Sequence, residues 1–302
     1  MSKDFLLGID LGGTKIEAAL VPRNDPARAH CRLRVPTEQE KGYRHILSQI
    51  KKLCSQVEEE TGVPLPDVIG LGHPGTLDPH TRKIKCSNTQ ALQEKPLQED
   101  LSALLGRKLV VENDANCFAL AEALLGAAKN FRLVFGVILG TGVGGGIVVD
   151  GRALHGCHGI AGEWGQIVLD PDGPESVYGT RGTVESYLCG PALEKFFTSL
   201  SQQKKRLPEI VQDARCGANL HAAATLNQLT DKFSEAISLV INLLDPDAVV
   251  VGGGVGNIDE IYSAETLKKI DKRIFQSQLT TKFLRPQLGD SAGVFGAALL
   301  TK

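Results

Sequence analysis

The chain opens on an apolar run, Phe5-Leu6-Leu7-Gly8-Ile9, that stops at Asp10-Leu11-Gly12-Gly13-Thr14-Lys15 and resumes at Ile16-Glu17-Ala18-Ala19-Leu20-Val21. Two apolar runs around a glycine turn predict a β-hairpin. Tyr43, Ile46, Leu47, Ile50, Leu53, Cys54 and Val57 then recur at helical spacing, predicting an amphipathic helix that Gly62, Pro64 and Pro66 end. Val68 to Leu71 and Leu109 to Val111 read as strands, which run into His73-Pro74-Gly75 and Glu112-Asn113-Asp114. Each places polar residues just past a strand end. From Ala115 to Ala128 the pattern is helical and rich in Ala and Leu.

The opening theme then returns. Val134 to Gly142 followed by Gly146 to Gly151 repeats strand, glycine turn and strand, with Gly8, Leu11 and Gly12 falling on Gly136, Leu139 and Gly140. The shared layout suggests a duplicated fold unit. An irregular stretch runs from His155 to Thr183, helices dominate from Val184 to Leu244, and a buried strand from Ala248 to Val251 ends at Gly252-Gly253-Gly254. The predicted class is α/β in two lobes with a cleft between them, because 302 residues exceed the usual size of one compact core.

Composition narrows the function classes. A formal net charge of −2 gives no electrostatic case for a nucleic-acid or membrane-surface partner. No apolar run has the length to span a bilayer and no signal-peptide core precedes Phe5, so a cytoplasmic protein is expected. The seven cysteines are scattered and never form a C-x-x-C pair, which reads as reduced thiols.

Glycine is the enriched residue, and three glycine turns each follow a strand: Gly12-Gly13, Gly140 to Gly146 and Gly252 to Gly254. Turns lacking Cβ atoms let backbone N–H groups reach phosphate oxygens. Gly140-x-Gly142-x-x-Gly145 also fits a dinucleotide fingerprint, but that motif opens a helix and here Ile147-Val148-Val149 continues as a strand. Asp10, beside Thr14 and Lys15, suits a hydrated Mg²⁺ near terminal phosphates; the alternative is an Asp that caps its turn. Asp114 starts a helix and is by default an N-cap. Glu112, Asn113, Asn116, Glu163 and Glu185 supply the polar groups a polyol site needs, and phosphoryl transfer requires little beyond alignment, a metal and an acceptor for the hydroxyl proton.

Six motifs in order carry a resemblance over nearly the whole chain: Gly8 to Lys15, Gly72-His73-Pro74-Gly75, Glu112-Asn113-Asp114-Ala115-Asn116, Leu139 to Gly146, Ala161-Gly162-Glu163-Trp164-Gly165 and Gly252-Gly253-Gly254. The chain resembles the ROK family of sugar kinases, within the hexokinase and actin-like ATPase superfamily. The resemblance implies a two-lobed actin-like (ribonuclease H-like) ATPase fold, with residues 1–114 and 291–302 in one lobe and 115–290 in the other. It implies ATP and Mg²⁺ as donor and metal, with Asp10 near Mg²⁺ through water. Gly12, Gly13, Thr14 and Lys15 would meet the phosphates, Thr141 and Gly142 would form a second phosphate loop, and Gly253 and Gly254 would border the adenosine. Asn88, Asn113, Glu163, Gln166 and Glu185 would bind the sugar, and Asp114 would be the base. It further implies a homodimer.

Ala161 to Gly165 and Ser87-Asn88-Thr89 look similar to fructokinases of the family, whereas Asn116-Cys117-Phe118-Ala119-Leu120 and Gly144-Gly145-Gly146 look like its N-acetylglucosamine kinases. The expected reaction is transfer to the 6-hydroxyl of a hexose, fructose or mannose ahead of glucose, with N-acetylglucosamine or N-acetylmannosamine as the alternative. A catalytically silent sugar sensor is a further alternative. The family also contains DNA-binding repressors with an N-terminal helix-turn-helix, for which a first strand at Phe5 leaves no room.

The chain departs from the family at its zinc motif, where Gln166, Ser176, Tyr178 and Thr183 stand in place of one histidine and three cysteines. None supplies a thiolate or imidazole, so no structural zinc is expected. His155, Cys157 and His158, just upstream, read as loop residues. His73 replaces an apolar residue of G-x-P-G, either as a tolerated loop-edge change or as an extra sugar contact.

Overall fold

Phe5–Leu11 (β1) and Lys15–Pro22 (β2) pair antiparallel in the computed structural model, which describes residues 2–176 and 178–302. Cys31–Pro36 (β3) pairs antiparallel with β2. The helix Tyr43–Thr61 (α1) buries Ile46, Ile50, Leu53, Cys54 and Val57 in the core that the hairpin lines. It stops at Gly62, whose φ of 65° suits a residue without a Cβ. Val68–His73 (β4) follows, then the short strands Thr76–Leu77 (β5) and Ile84–Lys85 (β6), which pair with each other. Leu97–Leu105 (α2) leads into Lys108–Asn113 (β7) and directly on to Asp114–Leu124 (α3).

These strands form one sheet in the order β3-β2-β1-β4-β7, with β1, β4 and β7 parallel. Parallel strands end on the same edge, and ligands of open α/β sheets gather there. The register sets Asp10 beside Gly72 and His73 beside Asn113, so three separate motifs arrive at one sheet edge.

Leu133–Leu139 (β8) belongs to a second compact unit, and Val143–Val149 (β9) carries the chain back toward the first, where Arg152–Ala153 (β10) pairs with its end. The helical stretch of the second unit comprises Val184–Leu188 (α4), Gly190–Ser201 (α5), Leu207–Arg215 (α6) and Leu220–Leu244 (α7). Ala248–Gly252 (β11) runs parallel to β8 and ends at the short helix Gly253–Gly256 (α8). Ala264–Asp271 (α9) precedes Lys282–Leu284 (β12), which is parallel to β11. A parallel trio of strands therefore recurs in each unit. Among the described residues no helix is long and apolar enough to cross a membrane.

The last helix, Ala292–Leu299 (α10), packs in the first unit. It lies so close to the sheet that a Cβ on Gly8 would stand 2.2 Å from the Val294 carbonyl oxygen, and one on Gly70 would stand 1.8 Å from that of Ala297. On its far side, Gly296 admits α3, since a Cβ there would meet the Cys117 carbonyl oxygen at 1.8 Å. By contact the first unit thus takes in residues up to 130, 146–161 and 287–302, and the second 131–145 and 162–286. This grouping differs from the split expected at Asp114, because α3 buries Ala115, Cys117, Phe118 and Ala119 in the unit that holds α10.

Backbone stands against backbone at Gly70, so neither side can yield cheaply. Gly70→Ala is expected to cost about 3 kcal/mol, seen as a lower urea midpoint without a change in slope.

Candidate active site

At the end of β1 the chain turns through Gly12-Gly13-Thr14, closed by the Gly12 N–H donating to the Lys15 carbonyl (3.0 Å). Thr37 braces the turn from outside: its hydroxyl donates to the Gly12 carbonyl (2.7 Å) and its N–H to that of Thr14 (2.9 Å). Asp10 stands just before this turn. Glycines make room for its carboxylate, since a Cβ on Gly293 would lie 2.8 Å from Oδ2 and one on Gly72 would lie 3.5 Å from Oδ1. Burial, with the Asp114 charge second, pushes the Asp10 carboxyl up to about 7, while Lys15 and Arg34 pull the other way.

Asp114 is the first residue of α3, and the capping role falls to its neighbour: Asn113 accepts the Ala115 N–H at 2.9 Å and donates its own amide to the Gly75 carbonyl at 3.0 Å. The Asp114 Oδ1 also accepts from Ala115, at 2.8 Å. Burial raises the Asp114 carboxyl to about 6 despite these backbone donors. Asn88 is exposed on the loop after β6, between buried Ser87 and Thr89.

Glu112 and Asn116 look inward instead. Glu112 Oε1 accepts from the Asn113 N–H (2.8 Å) and the Asn116 amide (3.0 Å), and Oε2 lies 3.0 Å from His155 Nδ1. His73 closes β4 at the edge of the Pro74-Gly75 loop and is not open to a sugar. It is 1% exposed at the end of β4, its Nδ1 faces the Pro74 carbonyl, and burial lowers its basicity so that it stays neutral.

The second unit holds the other residues. Thr141 and Gly142 turn between β8 and β9, with the Gly140 N–H donating to the Gly142 carbonyl (2.9 Å). Glu185 braces that turn: its Oε2 accepts the Val143 N–H at 2.9 Å, and a Cβ on Gly142 would press on the same oxygen. Gly253, at φ 83°, rests on the Leu139 carbonyl, and Gly254 has open space beside it. Glu163 and Gln166 flank a helical turn anchored by buried Trp164, whose Nε1 donates to the Gly144 carbonyl (3.0 Å) and whose ring meets Phe135 edge-on. Ser176, Tyr178 and Thr183 lie on the following loop, which Tyr187 ties to Asp170 (3.0 Å) while the Thr183 hydroxyl caps α4. Among the described residues no three His, Cys, Asp or Glu side chains are grouped to hold a metal ion.

The donor set fits a phosphorylated ligand and a hard cation. Gly140 and Gly254 have no atom within 4 Å of where a Cβ would be, leaving backbone open for approach. One crowded carboxylate with water suits Mg²⁺, which keeps most of its hydration.

Thr37, which carries no motif, escaped the sequence reading, and Glu112, expected among the groups of a polyol site, instead pairs with His155, which was read as a loop residue. Glu122 was visible in principle, as a lone carboxylate within the Ala-Leu run of α3; it is fully buried and accepts the Gln287 and Leu288 N–H groups.

The ROK family model matches residues 6–302. An N-acetyl-D-glucosamine kinase from Yersinia enterocolitica is 33% identical over 303 residues, covering 97% of this chain and 98% of that protein. Among solved structures, the ROK hexokinase from Thermus thermophilus is 34% identical with a TM-score of 0.88, covering 98% of this chain and 97% of that one. A ROK family glucokinase from Streptomyces griseus, solved with glucose and AMPPNP, is 27% identical with a TM-score of 0.77, covering 98% of each chain.

A carboxylate raised by burial gives its stability when protonated and loses it as pH rises through its folded value. In ligand-free, metal-free buffer at pH 8, Asp114→Asn is therefore expected to melt roughly 5 °C above wild type. The gap should close as the pH is lowered through about 6 toward 4.

Proposed function

The chain belongs to the ROK family, and on that premise we propose that it is an ATP-dependent kinase that phosphorylates the 6-hydroxyl of N-acetyl-D-glucosamine. The observation that carries the kinase reading is the pair of carboxylates, Asp10 crowded by Gly72 and Gly293 and Asp114 at the start of α3, whose ionisation burial opposes. Asp114 takes the proton of the attacking hydroxyl. A carboxyl at about 6 is ionised at neutral pH and yet holds a proton more firmly than an exposed one, which suits a general base. Asn113, fixed by its cap and by the Gly75 carbonyl, orients the sugar, and Asn88, Glu163 and Gln166 complete its recognition.

Asp10 would hold the hydrated metal, which would supply charge neutralisation at the phosphoryl oxygens. Backbone N–H groups of Gly12, Gly13 and Thr14, with Lys15, meet the terminal phosphates. Thr141 and Gly142 form the second phosphate turn, kept in shape by Glu185, and Gly253 and Gly254 border the adenosine. In this reading Glu185 Oε2 braces the turn on the phosphate side, beside the sugar contact that the family resemblance implied for this residue.

The substrate assignment rests on identity over nearly the full length with proteins named for N-acetyl-D-glucosamine, which outweighs the short motifs that favoured fructose or mannose. A hexokinase is the second reading, supported by a similar identity to the Thermus thermophilus enzyme.

A panel of N-acetyl-D-glucosamine, N-acetyl-D-mannosamine, glucose, mannose and fructose with Mg·ATP is expected to give the highest kcat/KM for N-acetyl-D-glucosamine. A higher value for glucose would favour the hexokinase, and no turnover with any sugar would leave a sensor. With the best sugar, Asp114→Asn should lower kcat by about 10³-fold and keep the sugar Kd within a few-fold. Wild-type kcat/KM should fall on the acid side below about pH 6. Near-normal turnover by the variant would remove Asp114 as base.

A further inference from the structure

Glu112 is a nearly buried carboxylate with three donors around it, and each belongs to a different piece of the first unit. The Asn113 N–H lies at the strand end, the Asn116 amide one turn into α3, and His155 Nδ1 on the loop after β10, at 2.8, 3.0 and 3.0 Å. A carboxylate can only accept, so the His155 proton facing it sits on Nδ1. His155 itself is 45% exposed while Glu112 is 8% exposed, so the imidazole forms the outer lid over a buried charge. Gly159 makes this placement possible, at φ 71°, because a Cβ there would press on the ring at 3.1 Å. His73 cannot take the place of His155, because its Nδ1 faces the Pro74 carbonyl and its Nε2 is buried without a partner.

We infer that Glu112 and His155 form a clasp that positions Asn113 and Asp114 for the reaction, with His155 as the residue that holds the clasp shut. The inference rests on the kinase reading of Asn113 and Asp114. Glu112 Oε1 fixes the peptide N–H of Asn113, one bond system away from the side chain that caps α3 and from the Asp114 that begins it. Without the His155 donor, Oε2 is left as a buried charge, and the carboxylate turns toward water or toward another donor. Either movement carries the Asn113 peptide with it. A shift of a fraction of an ångström at a general base is enough to lower turnover strongly. His155 touches neither reacting atom, so it is a positioning residue.

His155→Leu and His155→Asn separate this role from a general loss of packing. Asparagine places an N–H close to where imidazole Nδ1 stands, while leucine fills the space without a donor. With the best sugar of the panel, His155→Leu is expected to lower kcat about tenfold to a hundredfold and to weaken the sugar Kd, measured by calorimetry without nucleotide, by about tenfold. His155→Asn should stay within about threefold of wild type on both, and the KM for ATP should move less than twofold in either variant. The clasp is wrong if leucine leaves kcat and sugar Kd unchanged, if asparagine and leucine are equally impaired, or if the KM for ATP rises in step with the sugar Kd. If wild type itself turns over no sugar, the kinase reading fails, and the clasp fails with it for a separately visible reason.

Discussion

The first unit depends on the close approach of α10 to the sheet. Helix and sheet backbones touch only because Gly8 and Gly70 carry no Cβ, Gly296 likewise admits α3 against the same helix, and Gly293 stands against Asp10. Larger residues at those positions would lift α10 from β1, β4 and α3, and part the strand that carries Asp10 from the helix that begins with Asp114. The price of that closeness is low tolerance: a packed backbone interface has no flexible side chain to absorb change.

The same crowding sets the electrostatics. Asp10 and Asp114 lose hydration, and each is harder to ionise than an exposed carboxylate. Nearby positive charge is engaged elsewhere, since Arg34 lies 2.8 Å and Arg32 3.4 Å from buried Glu17, which β2 sets opposite Asp10 while both arginines stand one strand further out on β3. In the proposed reaction Asp114 would take the proton and Asp10 would face the divalent cation, while the protein contributes alignment and charge more than covalent chemistry.

Both glycine turns have their shape fixed by a side chain from elsewhere. Thr37 occupies the carbonyls of the first turn, and Glu185 takes the Val143 N–H beside the second. Near the start of α4, Tyr187 donates to Asp170, Thr183 caps the helix and Gly182 packs against the Asp170 carbonyl.

Much of this was legible from residues alone. The hairpin around Gly12, the amphipathic helix ending at Gly62, the strand running into Asn113-Asp114 and the buried strand before Gly252 are local patterns, set by period and by turn chemistry within a few residues. Motif order also marked the family and the residue types of the site. Partnership was not legible, because it is decided by proximity between distant segments: Glu112 with His155, 43 residues apart; Val143 with Glu185, 42 apart; Glu122 with Gln287, 165 apart. The sequence by itself determined which side chains could accept or donate and the strands, turns and helices around the glycine and Asn113-Asp114 motifs, while Cys31–Pro36, Leu97–Leu105 and Lys282–Leu284 went unread. Only the tertiary structure decided that Glu112 and Asn116 face inward, that His73 is core, that Glu185 braces a turn and that α3 joins the first unit, since burial and hydrogen-bond choice follow from packing that no local pattern encodes.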